Sequence, residues 1–205
     1  MKVIKDSIYE KHYRDYLAQI SRLNLKALAN PLGIDVQKDE AIISFFKQPH
    51  IVSAKGIIGP SGKRPNYAVS VILFKYLLLC PDHEPFESDW TSYRDFKDAV
   101  PLVNNFMNTV ERPISRHFAG RLDELQKAAK CLSGRSPDIE LCYDVSVCFD
   151  ALPKVPTLLL FNDKDDEFPA QCSVLFEKRA DKFLDMECLA IVGMLLSGYL
   201  RKFQR

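Results

Sequence analysis

The acidic segment 162–167, NDKDDE, is the densest group of potential ligands in the chain, because five of its six side chains carry oxygen. Hard cations such as Ca²⁺ and Mg²⁺ prefer oxygen ligands, so Asp163, Asp165 and Glu167 are candidate metal ligands. An EF-hand beginning at Asp163 is excluded, because its sixth position is Phe168 rather than glycine. The alternative is a solvated turn after a buried strand, where Asp and Asn are favoured.

Cys80 and His83 form a C-x₂-H pair that could bind a softer metal. Such a pair supplies half of the ligands of a structural zinc site, and no second pair with suitable spacing follows. His117 and His50 are the residues that could complete the set. A structural or exposed histidine is the alternative.

Lys75 lies in the apolar run 67–80, YAVSVILFKYLLLC. A charge in such a run must reach solvent, pair with a carboxylate, or bind an anionic ligand. Asp144 and the carboxylates of 163–167 are its candidate partners. Arg64 and Arg94 are two further cations that could bind an anionic ligand together with Lys75.

The loop 59–65, GPSGKRP, combines glycine and lysine before a predicted helix. It is not a Walker A loop, because Ile57 and Arg64 stand where that motif requires Gly and Ser or Thr. We interpret it as a turn that closes a hairpin. Anion binding at the following helix N-terminus is the alternative.

Segment 139–150, IELCYDVSVCFD, alternates between apolar and polar residues and predicts a strand. Its polar face would carry Cys142, Asp144, Ser146, Cys148 and Asp150. That face either meets solvent or borders a covered cavity, in which Asp144 is a candidate ligand-binding residue.

The remaining periodicities predict the elements that must position these side chains. We expect helices at 8–23, 67–80, 113–132 and 186–200, the last apolar on almost every side and therefore buried. Strands are expected at 41–46, 50–58, 139–150 and 157–162, whereas 171–176 fits either a strand or the start of a helix. Because strands and helices do not alternate, the sequence predicts one α+β domain over 1–205, with a mainly antiparallel sheet.

The composition excludes several classes of protein. With 205 residues, 47% of them hydrophobic, and 28 basic residues against 27 acidic ones, the chain is neither disordered nor collagen-like. A net charge of +1 argues against nucleic-acid binding, and acidic neighbours also cancel the basic residues of the aromatic segment 90–98. The longest uncharged run, Cys188–Leu200, is too short for a membrane span.

Six cysteines and the absence of any C-x-x-C pair predict a reduced protein. Cys80, Cys131, Cys148 and Cys188 lie in apolar runs, where a cysteine behaves as a small buried hydrophobe. Together with an N-terminus that lacks an apolar signal core, this predicts a cytoplasmic location.

Four long runs carry a family likeness: GKRPNYAVSVILFKYLLLCP, WTSYRDFKDAVP, ALPKVPTLLLFNDKDDEFPA and SVLFEKRADKFLDMECLAIVG. They resemble the bacterial and archaeal family catalogued as domain of unknown function 3786. The family is mostly from anaerobes, and some members are joined to a cysteine-rich iron–sulfur module. The resemblance therefore implies anaerobic metabolism and a metal ion or metal-containing cofactor, but it assigns no catalytic residue.

These observations favour a ligand- or cofactor-binding accessory or carrier protein. Its pocket would lie between the sheet and the helices at 67–80 and 186–200, and its partner would be a small molecule or another protein. One alternative is a metal-dependent enzyme in which the 162–167 carboxylates bind the ion and His83 or His117 transfers protons. The other is an interaction module that uses the apolar helix 186–200.

Overall fold

The computed structural model describes the backbone of residues 2–202 and the side chains of residues 8–202. Its helices are α1 (Lys2–Ile20), α2 (Leu25–Leu32), α3 (Tyr67–Leu78), α4 (Val103–Phe106), α5 (Arg112–Phe118), α6 (Leu122–Cys131) and α7 (Met186–Lys202). Met107–Glu111 forms a π-helical turn that joins α4 to α5.

The strands form two four-stranded antiparallel sheets. The first is a meander of β1 (Asp35–Gln37), β2 (Glu40–Phe45), β3 (Gln48–Ser53) and β4 (Gly56–Ile58). The second contains β5 (Trp90–Ser92), β6 (Val145–Leu152), β7 (Val155–Asn162) and β8 (Gln171–Glu177) in the order β5-β8-β7-β6. The N–H of Phe46 donates to the carbonyl of Ala151 over 3.0 Å and thereby joins the β2–β3 turn to the second sheet.

One hydrophobic core extends over both sheets and the helices between them. Helix α3 contributes its apolar run to this core, and α7 buries residues around most of its circumference. The predicted α+β class with antiparallel pairing and a buried C-terminal helix is confirmed. Met194 is the large apolar side chain of α7 that remains exposed.

Three predicted elements are wrong in extent. The strand expected at 50–58 is divided into β3 and β4, which pair antiparallel across a turn at Ala54 and Lys55. The helix expected at 113–132 is divided into α5 and α6, because Gly120 adopts a φ of 72° that ends the first helix. The strand expected at 139–150 begins only at Val145, so Cys142 and Asp144 precede it. Alternation of residue types predicts which face a side chain takes, but a strand also needs a neighbour, and the pairing with β7 begins only at Val145.

Segment 171–176, for which both structures were possible, is strand β8. It pairs with β7 along its whole length and with β5 at its C-terminal end. Within residues 2–202, no helix has the length and apolar character needed to cross a membrane.

Candidate functional site

The carboxylate of Asp163 stabilises a backbone turn. Its Oδ1 accepts hydrogen bonds from the N–H of Gly120 over 2.6 Å and of Lys164 over 2.8 Å. The N–H of Asp163 in turn donates to Oδ2 of Asp144 over 2.7 Å. Asp144 and Asp163 therefore lie together, and Asp163 connects the end of β7 to the α5–α6 junction.

The carboxylate of Asp165 also accepts hydrogen bonds from the backbone. Its Oδ1 accepts from the N–H of Phe168 over 2.6 Å and of Glu167 over 2.8 Å, an Asx-type turn. These two hydrogen bonds lower the pKa of the Asp165 carboxyl. The side chain of Glu167 is exposed. The geometry thus matches the alternative interpretation of this segment, a solvated turn.

The two metal sites suggested by the sequence are not assembled. Cys80 is half-buried with its thiol 3.7 Å from the carbonyl of Pro81, and His83 is exposed. Across residues 8–202, whose side chains are described, no group of three or more His, Cys, Asp or Glu is arranged to hold a metal ion.

Lys75 pairs with a carboxylate, but with one that the sequence did not indicate. Its Nζ lies 3.2 Å from Oδ2 of Asp185, whose Oδ1 accepts from the N–H of Cys188 in the first turn of α7. Burial acts to lower the pKa of Lys75, but the hydrogen bond and charge of Asp185 outweigh it and raise that pKa. The expected pairing with Asp144 or with residues 163–167 is wrong, and Lys75 connects α3 to the start of α7.

Each of the two candidate arginines has its own acidic neighbour, and neither shares a carboxylate with Lys75 in an ion pair. Arg64 pairs with Glu10 at 2.7 Å, and its guanidinium lies 3.3 Å from the ring centroid of Tyr13. Arg94 is exposed, with Asp95 3.9 Å away. Arg64 therefore fastens the loop 59–65 to α1. Neither arginine, nor Lys75, nor Asp144, lines either of the two cavities described next.

The larger cavity, about 770 Å³, lies between the α1–α2 connection and the β1–β2 and β3–β4 turns. Its lining mixes Lys26, Lys38 and Lys55 with Asp39 and Glu40, all of them exposed. This is the composition of an ordinary solvated surface, and it contains no buried polar group that a ligand would satisfy.

The smaller cavity, about 380 Å³, is of a different kind, and we call it the aromatic cavity. It lies between the β2–β3 turn, the start of α3, the end of α6 and the last turns of α7. Its lining residues are Phe45, Phe46, Gln48, His50, Pro60, Pro65, Asn66, Val69, Cys131, Leu132, Ser133 and Tyr199. None of these described residues is an Asp, Glu, Lys or Arg, so the lining carries no permanent charge.

Four rings border the aromatic cavity and are packed edge to face. The centroids of Phe45 and Phe46 are 4.8 Å apart at 74°, and those of Phe46 and Tyr199 are 5.5 Å apart at 87°. Phe45 also contacts His50 at 6.2 Å and 77°. Such pairs fix one another's orientation, so this wall is preformed.

The backbone beside the aromatic cavity is strained. Phe46 and Lys47, the central residues of the β2–β3 turn, have φ of 46° and 61°, and Ser133 after α6 has φ of 57°. Left-handed conformations cost a non-glycine residue about 1–2 kcal/mol. A glycine is present nearby, at 134, but a Cβ there would lie 2.5 Å from Val147. Close packing against Val147 therefore explains the glycine at position 134, whereas the left-handed conformation is at Ser133.

Replacing Lys47 with glycine should relieve part of this strain and give a free energy of unfolding about 1 kcal/mol higher than that of Lys47→Ala. The substitution also removes the ion pair between Lys47 and Asp150, at 2.6 Å, which is half exposed and contributes at most about 1 kcal/mol. Lys47→Ala is the matched control, because it loses the same ion pair but keeps a Cβ at positive φ. Urea unfolding of both variants measures the difference, and an alanine variant as stable as the glycine variant would contradict a strained turn.

His50 is the buried polar residue of the aromatic cavity, with 5% of its surface exposed. Its Nδ1 lies 2.9 Å from the carbonyl oxygen of Gln48. Because a carbonyl can only accept, Nδ1 is the nitrogen that carries the proton. Burial lowers the pKa of His50, although the hydrogen bond to Gln48 opposes this, so the imidazole is neutral at pH 7.

The other polar groups of the aromatic cavity are also uncharged. Burial raises the pKa of Tyr199, so its hydroxyl keeps its proton at neutral pH. The side chain of Asn66 accepts from the N–H of Val69 over 3.0 Å and caps α3. Cys131 is exposed at the end of α6 rather than buried, because α6 ends there and turns its last residue outward. This arrangement suits binding through apolar contact and a few hydrogen bonds.

The sequence predicted a pocket between the sheet and the helices at 67–80 and 186–200, but it did not indicate the residues that line this cavity. Phe45 and Phe46 were interpreted as strand residues and Tyr199 as part of a core helix, while His50 entered only as a possible zinc ligand. Neither Phe46 nor Lys47 is a residue type that signals a left-handed turn. The loop 59–65, interpreted from the sequence as a turn that closes a hairpin, contributes Pro60 and Pro65 to the lining.

Comparison with protein families returns one match, to the family described as a domain of unknown function (DUF3786), over residues 24–199. The chain belongs to this family. Comparison with curated proteins and with solved structures gives no match. The DUF3786 match includes every residue that lines the aromatic cavity, so the whole site lies inside the family domain.

Proposed function

We propose that this DUF3786 protein is a ligand-binding protein that acts as a carrier or accessory protein, and that its ligand is an uncharged, largely apolar small molecule. The observation that supports this most strongly is a preformed cavity of about 380 Å³ with no charged side chain in its described lining, in a chain of which 27% is charged. Small-molecule sites are typically apolar clefts of about 300–1,000 Å³ with a few placed polar groups.

The strained backbone supports the same site. Left-handed non-glycine residues collect at functional sites, where the surrounding structure maintains them. Phe46 and Ser133 both line the aromatic cavity, and Lys47 is next to it. The location that we propose is the cytoplasm, because all six cysteines are free thiols, as a reducing compartment requires. Anaerobic metabolism, which the family resemblance implies, is a setting compatible with such thiols.

Disulfide tethering tests the proposal, because the chain supplies both the probe position and its control. Cys131 is an exposed thiol in the lining of the aromatic cavity, whereas Cys142 is an exposed thiol outside it. Under partly reducing conditions, thiol–disulfide exchange retains a fragment where non-covalent contacts hold it. Disulfides carrying neutral phenyl or naphthyl groups should therefore be retained at Cys131 in preference to Cys142, as peptide mass spectrometry would measure.

Hydroxyethyl disulfide provides the reactivity control, since it has no ring to occupy the cavity. The ratio of Cys131 to Cys142 labelling should rise several-fold from hydroxyethyl to aryl disulfides. Carboxylated aryl disulfides should not show that rise, because the cavity offers no cation. An equal ratio for aryl and hydroxyethyl reagents would contradict the proposed binding site.

A further inference from the structure

We infer that the ligand of the aromatic cavity presents a hydrogen-bond donor, an N–H or O–H, to Nε2 of His50. This inference rests on the proposed function and narrows its ligand to neutral aromatic molecules that carry such a donor. It excludes simple anions, the class of ligand that Lys75, Arg64 and Arg94 suggest in the sequence.

The tautomer of His50 is the first step. Since Nδ1 donates to the carbonyl of Gln48 over 2.9 Å, the neutral ring has its lone pair on Nε2. Nε2 is thus an acceptor and cannot bind another acceptor. Among the described side chains, residues 8–202, the hydrogen bond that the His50 ring forms is the one at Nδ1, and Nε2 has no protein partner.

The direction in which Nε2 points is the second step. The Cδ2–Nε2 edge of the ring faces Gly59, where an added Cβ would lie 3.6 Å from Cδ2 and 3.7 Å from Nε2. Pro60, the next residue, lines the same cavity as His50. Among described residues, the fully enclosed side-chain atoms without a partner include Nε2 of His117 but not Nε2 of His50. Because His50 lines the aromatic cavity and its Nε2 is not among the fully enclosed atoms, we place the approach to this nitrogen in that cavity.

The shape of the lining is the third step. Phe45, Phe46 and Tyr199 provide ring faces and edges around a space of about 380 Å³, which suits a planar ring. A buried acceptor left unpaired by its ligand is costly, so a molecule that supplies a donor is selected over one that does not. Phenols, indoles and other N–H heteroaromatics have this chemistry.

The test compares phenol with anisole, and indole with 1-methylindole, by NMR titration of the full chain. Each second member keeps the ring but replaces the donor hydrogen with a methyl group. Phenol should bind about tenfold more tightly than anisole, the effect of one hydrogen bond to a buried acceptor. Phenol should also shift the ¹⁵N resonance of His50 Nε2, whereas benzoate should not bind.

His50→Phe keeps an aromatic ring but removes the acceptor. This variant should therefore bind phenol and anisole with about equal affinity. His83→Phe, the same substitution at an exposed site outside the cavity, should leave the preference unchanged. Equal binding of phenol and anisole to the natural chain, or a preference that survives in His50→Phe, would overturn the inference but leave the binding site intact. Failure of all four neutral probes to bind would overturn the proposed function itself. If His50→Phe does not fold, the ¹⁵N resonance of His50 Nε2 in the natural chain tests the inference. An unchanged resonance when phenol is bound would refute the hydrogen bond.

Discussion

Gly193→Ala should lower the free energy of unfolding by about 2 kcal/mol, although alanine is the better helix former. A Cβ at position 193 would lie 2.6 Å from Cε2 of Phe106 and 3.2 Å from Cγ2 of Val110. Gly193 is buried on α7, where that helix crosses α4 and the π-helical turn. Crowding at this crossing outweighs the gain in helix propensity.

Phe106 has little freedom to move away from an added methyl group. Its ring stacks on Tyr93 with centroids 4.2 Å apart and planes 5° apart. Tyr93 is itself held by a hydrogen bond from its hydroxyl to the carbonyl of Met186 over 2.7 Å. The overlap must therefore be absorbed by separating α7 from α4, which loosens the core.

Gly198→Ala is the matched control on the same helix. Among the described residues, and apart from its chain neighbours and the helix's own backbone, no atom lies within 4 Å of a Cβ at position 198. The substitution should therefore stabilise the protein by about 0.5–1 kcal/mol through helix propensity alone. Urea unfolding followed by far-ultraviolet circular dichroism would measure both variants. If Gly193→Ala were as stable as Gly198→Ala, the close approach of α7 to Phe106 would be refuted.

Tyr76→Phe should lower the free energy of unfolding by about 2–3 kcal/mol, because it leaves two polar backbone groups without their partner. The hydroxyl of the fully buried Tyr76 donates to the carbonyl of Leu32 over 2.6 Å. It also accepts from the N–H of Lys154 over 3.1 Å. Burial raises the pKa of Tyr76, so the proton that it donates stays in place.

This one hydroxyl connects the end of α2, the last turn of α3 and the β6–β7 turn. Tyr67→Phe is the control on the same helix, since the hydroxyl of Tyr67 makes no hydrogen bond among the described residues. The control should change stability by no more than about 0.5 kcal/mol. Thermal and urea unfolding would compare the two variants. Equal stabilities would mean that the Tyr76 hydroxyl contributes nothing beyond its ring.

The predictions that the structure confirms rest on local patterns. The helix expected at 67–80 is α3 (Tyr67–Leu78), and the helix expected at 186–200 is α7 (Met186–Lys202). Residues at the edges of these apolar runs mark the helix boundaries: Pro81 follows the first run, and Asp185 precedes the second. The α+β class followed from the order of such runs, and antiparallel pairing followed from the lack of helices between consecutive strands.

The interactions that the sequence left open join residues far apart in the chain. The partner of Lys75 is Asp185, 110 positions later, although nearer carboxylates were available as candidates. The sequence predicted that Lys75 reaches solvent, pairs with a carboxylate or binds an anionic ligand, because an unpaired charge in an apolar run is costly. Which carboxylate satisfies that need depends on how α3 crosses the start of α7.

For this protein, the sequence alone determined the α+β class and the buried C-terminal helix. It also gave a solvated turn as one of two interpretations of the acidic segment 162–167. Each of these follows from residue types within a few positions of one another. Only the tertiary structure decided where the aromatic cavity lies, because its walls come from the β2–β3 turn, the start of α3, the end of α6 and the last turns of α7. A cavity is the space that remains when such distant segments have packed, and local periodicity carries no information about that space.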